Sequence, residues 1–132
     1  MNEDVKSQVL AADAAVLAEL NAGNPDGFFQ HLHAWCNAFS PNGGPLNDLQ
    51  TIRENMERSF SSGQTVSLQL QDSNVEVYGQ STGLVTGTLV GTVAAPDGAI
   101  ADVRVRYTGV YVKENDTWKQ IHWHESPLVL NT

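Results

Sequence analysis

The sequence predicts an α+β domain in which three N-terminal helices pack on a strongly curved antiparallel sheet. Three observations carry that prediction. Over roughly the first 60 residues the apolar side chains recur at helical spacing, whereas after Gly63 they alternate. The chain has 132 residues, the size of one domain, so 1–132 reads as a single unit. Apolar residues make up 41 % and charged residues 17 %, which supports a core and is not the composition of a disordered chain.

Each element has its own signal. Val5, Val9, Ala12, Val16, Leu17 and Leu20 fall on one face of a single first helix. Asn21 to Pro25 carry the turn residues expected where a helix stops. A short second helix over Pro25 to Leu32 starts with proline in its first turn. Ala34 to Phe39 reads as a strand, closed by the breaker-rich Ser40-Pro41-Asn42-Gly43-Gly44-Pro45. Asn47 or Asp48 then caps a third helix whose stripe is Leu49, Ile52, Met56 and Phe60.

Past Gly63, Val66, Leu68 and Leu70 alternate with polar residues, as do Val75 and Val77. Leu84 to Ala95 is rich in Val, Thr and Gly, and its glycines at 83, 87 and 91 suggest bends in a curved sheet. Ala95-Pro96-Asp97-Gly98 is a hairpin turn between that strand and a long one, Ile100 to Val112. Asn115-Asp116 turns the chain into a last strand, Trp118 to Ser126. Helices roofing the concave side of such a sheet tend to leave a blind apolar pocket.

Charge and motifs narrow the function. Seven Lys/Arg against fifteen Asp/Glu give a net charge of −8, which argues against nucleic acid or an anionic membrane as partner. No apolar run reaches the roughly 18 residues of a transmembrane helix. Met1-Asn2-Glu3-Asp4 is acidic where a secretory signal would be basic, and the single Cys36 fits a reducing compartment, so a cytoplasmic location is expected. No phosphate loop, dinucleotide fingerprint or Ser-His-Asp order occurs, so no cofactor is expected.

Asp13 stands out because it sits inside the stripe of the first helix. Taking Val5 as zero, it falls at about 80°, beside Leu20 at about 60°. An ionised carboxylate is costly to bury there, so its pKa should rise, and such a group suits general acid–base work. Its alternative is a place at the edge of the stripe, bonded to solvent or backbone.

The segment Arg106-Tyr107-Thr108-Gly109-Val110-Tyr111, followed by Trp118 and then Ile121-His122-Trp123-His124-Glu125-Ser126, resembles the nuclear transport factor 2-like cone fold. Arg-x-Thr-x-Val-Tyr, a turn, and Trp-x-x-Ile-His-x-His-x-Ser are similar to SnoaL-like proteins and to the association (hub) domain of calcium/calmodulin-dependent kinases. The resemblance covers nearly the whole chain in element order. It implies the fold firmly but not one activity, because this fold hosts isomerases, cyclases, dehydratases, binding proteins and oligomerisation modules.

Departures from those patterns are informative. Where ketosteroid isomerases carry an aspartate before the proline of the first strand, this chain has Ser40, which becomes a ligand contact instead. The arginine positions of kinase hub pockets match Gly109 and Glu125. The resemblance turns the face of Glu125, Trp123 and Ile121 into the cone, making Glu125 a second acid–base candidate. Its alternative is a solvated carboxylate at a strand end. Tyr107, Gly109 and Tyr111 alternate onto the same face and offer phenols and apolar walls to a ligand.

The histidines form two His-x-His pairs. His122 and His124 point the same way and could in principle chelate, whereas His31 and His33 straddle a helix end and do not align. Hydrogen-bonding roles are the commoner outcome, and no metal is expected. Arg104 and Arg106 fall on the outer sheet face and suit an interface ion pair. The reading is a stand-alone small-molecule pocket protein, a homodimer through its outer sheet face, with Asp13 and Glu125 as acid–base groups. Ser40, Tyr107, Tyr111 and Trp123 would contact a small apolar ligand. A non-catalytic association or carrier domain is the alternative.

Overall fold

The computed structural model describes residues 2–129. Helix α1 (Asn2–Asn21) opens with Glu3 and Asp4 in its first turn, where carboxylates complement the partial positive charge of the free N–H groups. At its other end the Asn21 side chain donates to the Leu68 carbonyl at 2.8 Å and accepts from the Leu68 N–H at 2.9 Å. One amide thereby pins the helix to the sheet. Helix α2 (Pro25–Gln30) is capped by Asn24, whose Oδ1 accepts from Gly27 N–H. Helix α3 (Leu49–Ser61) is capped by Asp48, which accepts from Thr51 N–H at 2.8 Å. That bond is the largest reason the Asp48 carboxyl is held below its usual pKa.

The strands are β1 (Leu32–Phe39), β2 (Asn47–Asp48), β3 (Thr65–Tyr78), β4 (Thr82–Ala94), β5 (Ile100–Glu114) and β6 (Thr117–Pro127). They form one open sheet in the order β2-β1-β6-β5-β4-β3. From β3 to β6 it is the expected antiparallel meander.

Three expectations need correction. The sheet is mixed, because β1 runs parallel to β6. The connection between these strands contains every other strand and α3, long enough for the crossover that parallel neighbours need. Next, α2 stops at Gln30 and β1 starts at Leu32, because Leu32 pairs with Gln120 of β6 and the His31 carbonyl accepts from Gln120 N–H. Tertiary pairing overrides the local helical pattern there. Finally, β2 is a two-residue strand against β1, too short to show any alternation.

Strand β6 carries one irregularity that matters for the site. Tyr111 pairs with Gln120 and Val110 pairs with His122, so Ile121 is an extra residue in β6. The alternation changes phase across it. Trp118 and Gln120 are buried before the bulge, and Trp123 and Glu125 turn inward after it.

The core lies between α1 and the sheet. Val9, Val16, Phe28, Val85, Leu89, Val105, Tyr111 and Trp118 are buried together. Val9 lies so close to β4 that a Cβ on Gly83 would meet its methyls at 2.7 Å, so glycine sets the helix–sheet spacing. Trp118 closes the far end, donating from Nε1 to Gln8 Oε1 at 3.0 Å. No described helix is long and apolar enough to cross a membrane.

Candidate functional site

Asp13 lies four residues after Val9 and three before Val16, so all three share the face of α1 that meets the sheet. It is 5 % exposed. Tyr107 and Tyr111, four apart on β5 and so on the same face, both point at it. Each phenol donates to Asp13 Oδ1 at 2.6 Å. Gln120, inward because of its place just before the bulge, donates from Nε2 to the Tyr107 oxygen at 2.6 Å. Gly109 sits between the two tyrosines on β5. A Cβ there would lie 2.3 Å from the Tyr107 hydroxyl and 2.7 Å from Gln120 Nε2, so its missing side chain is the space the network occupies.

Burial raises the Asp13 pKa, and the two phenolic hydrogen bonds pull against that rise. Burial likewise pushes the phenols of Tyr107 and Tyr111 well above their ordinary range, with the Asp13 carboxyl adding to it. Both tyrosines therefore remain hydrogen donors. Their hydrogens are engaged by Asp13, which makes the tyrosines a clamp on the acid.

Asp13 forms one wall of a cavity of about 170 Å³. Val16, Leu17 and Leu20 of α1, Phe28 of α2, Met56 of α3 and Leu89 of β4 make it chiefly apolar. Trp123 meets Phe28 edge to face at 5.8 Å between ring centres, which fixes the aromatic wall. Glu125, on β6, lines the same cavity. Burial pushes its carboxyl up to about 7, and neither a neighbouring charge nor a hydrogen bond contributes to the shift. Two carboxyl groups thus share one chamber on different terms. Asp13 is clamped, and Glu125 is unclamped and poised near neutrality.

Of the other residues singled out in the sequence, Tyr107 and Trp123 line this cavity. Tyr111 is fully buried behind Asp13 and is absent from the lining. Ser40 lines an adjoining chamber instead. Sequence reasoning missed Gln120 because strict alternation turns it outward. The available signal was two tryptophans five apart, Trp118 and Trp123, which cannot both face inward on an unbulged strand.

The histidines lie elsewhere. His122 Nδ1 is 2.6 Å from Asn37 Oδ1, and burial lowers its pKa. His124 is exposed and its ring lies 5.1 Å from that of Phe39. His33 Nε2 is 3.0 Å from Glu114. Among the described residues no group of three or more His, Cys, Asp or Glu is arranged to hold a metal. Arg106 is exposed and donates to Ser126 Oγ at 3.1 Å. Cys36 is buried, and burial pushes its thiol up to about 12.

Solved structures share this architecture. A candidate dehydratase of the nuclear transport factor 2-like family from Streptomyces avermitilis superposes with a TM-score of 0.83 at 20 % identity, covering 94 % of this chain and 97 % of that one. A ketosteroid isomerase-like protein from Erwinia carotovora atroseptica gives 0.81 at 14 % identity, covering 95 % and 97 %. The calcium/calmodulin-dependent kinase II hub homology domain of the alga Chlamydomonas reinhardtii gives 0.78 at 20 % identity, covering 94 % and 98 %. At such identities the likeness is one of fold. No curated protein sequence matches this chain. The family model for the SnoaL-like domain matches residues 9–130, almost the whole sequence, and the chain belongs to that family within the nuclear transport factor 2-like superfamily.

Proposed function

We propose that the cavity binds a small, largely apolar molecule and moves a proton on it without a cofactor, by isomerisation, cyclisation or dehydration. The observation that carries this is the pair of carboxyl groups facing one apolar chamber from α1 and β6. With its pKa near 7, Glu125 is available both as acid and as base at neutral pH. In its ionised form it takes a proton from carbon next to an oxygen-bearing centre, and in its protonated form it returns one. Asp13, whose pKa burial raises and whose carboxyl Tyr107 and Tyr111 orient, meets the substrate oxygen and donates to it in its protonated form. Trp123 and Phe28 exclude water from that transfer. A sheet bent strongly around the cavity, a homodimer formed through the outer sheet face and a cytoplasmic location belong to the same proposal.

The test is proton exchange on a compact enolisable ketone. 2-Tetralone incubated in deuterium oxide should lose its α-hydrogen NMR signal faster with protein than in buffer alone. Glu125→Gln should abolish the acceleration. Buffer-level rates with a panel of such ketones would defeat the catalytic reading.

Likeness to the hub homology domain favours a second reading, a non-catalytic association module. Light scattering separates the two: an assembly larger than a dimer, together with buffer-level exchange, supports the module.

A further inference from the structure

The apolar cavity has a neighbour at its α3 end. Leu20, Met56 and Trp123 line both it and a second chamber of about 220 Å³ between α3 and the sheet. Beyond that boundary polar groups join apolar walls such as Ile52 and Phe60. The second chamber is faced by Ser40, Asn47, Asn55, Ser59 and Gln64, which carry hydroxyls and amides. Asn47 Nδ2 donates to Ser40 Oγ at 3.2 Å, so these two are held in place across the β1–α3 connection. Neither chamber is lined by Lys, Arg or His.

We infer that the two chambers form one site for an elongated, uncharged amphiphile, whose apolar ring system lies between Asp13 and Glu125 and whose hydroxyl-bearing end lies among Ser40, Asn47 and Asn55. The inference rests on the pocket reading above and adds the class of ligand. Size supports it, because the apolar chamber alone falls short of the roughly 300 Å³ at which ligand sites usually begin. Charge supports it too. An anion would meet only carboxyls and uncharged groups in a chain of net charge −8. A cation would find no ionised partner in the second chamber, whose amides and hydroxyls match neutral donors and acceptors instead.

Three naphthalene probes test this by fluorescence titration: 2-naphthol, 2-naphthyl β-D-glucoside and 2-naphthyl sulfate. The glucoside should bind about tenfold tighter than naphthol, the gain expected from one or two added hydrogen bonds. Ser40→Ala with Asn55→Leu should erase that advantage, so that glucoside and naphthol bind alike. Gln64→Ala, a milder change, should reduce the advantage without touching α3. Equal binding of glucoside and naphthol, or tightest binding of the sulfate, overturns the two-chamber ligand while leaving the apolar pocket standing. Failure of naphthol and glucoside alike to bind would remove both.

Discussion

Tyr107 and Tyr111 donate their phenolic hydrogens to the same oxygen of Asp13, each across 2.6 Å. Sharing one acceptor means that removing either phenol leaves the other bond in place. Tyr111→Phe removes a hydrogen bond that lowers the Asp13 pKa, so that pKa should climb further. Carbon-detected NMR of the Asp13 carboxyl would follow it. The stability loss should be about 1–2 kcal/mol by urea denaturation, the scale of one buried hydrogen bond. An unchanged Asp13 titration would show that the crossed bonds do not govern this acid.

Glu125 links the cavity to stability. Its folded-state pKa of about 7 lies above the ordinary 4.5, so the folded chain holds the proton more tightly than the unfolded one. Below pH 4.5 both states are protonated and burial of this group carries no charge penalty. Stability then declines as pH rises through the interval from 4.5 to 7, and the full penalty applies above it. Glu125→Gln lacks this dependence. The stability of the variant relative to the parent should therefore grow between pH 4.5 and 8 by roughly 2–4 kcal/mol. Comparing the two chains cancels the opposite trend of His122, whose pKa is lowered by burial. A pH-independent difference would mean that Glu125 is solvated.

Gly109→Ala puts a methyl where the Tyr107 hydroxyl and Gln120 amide meet. Their ends must separate, breaking a 2.6 Å bond in a place with no spare volume. The expected cost is about 1–3 kcal/mol of stability. Proton exchange on tetralone should fall with it, because Tyr107 also holds Asp13. A neutral substitution would show that the β5–β6 pair relaxes there.

Cys36 should be unreactive in the native protein. The residue is 2 % exposed and burial pushes its thiol up to about 12, so little thiolate forms at pH 8. A chromogenic disulfide reagent should modify it only at the rate of unfolding, rising steeply with denaturant. Stoichiometric labelling within seconds in buffer would place Cys36 in an opened region of β1.

What the sequence disclosed was mostly local. Asp13 announced itself as one acid among Val9, Val16 and Leu20, and helical geometry alone turns it toward the sheet. The strands of the meander and the Ala95–Gly98 turn followed from period two and turn chemistry. The parallel partnership of β1 with β6 was hidden, since no local pattern encodes which distant strand lies alongside. Gln120 was hidden for a related reason. One inserted residue at Ile121 reverses the facing of everything beyond it, and single-residue phase shifts leave little trace in composition. Ser40 was selected by resemblance to a catalytic position, whereas the fold sets it one chamber away from both acids.

The pairing of β1 with β6 has a consequence for how the molecule is made. Leu32 to Phe39 find their neighbour about 85 positions later, in the segment that also supplies Gln120, Trp123 and Glu125. During synthesis the first two helices and β1 emerge with their greasy sides bare and must wait for the final strand before the hollow can close. Folding should thus be slow for a chain of this size, and nascent copies should lean on holding chaperones until that strand docks.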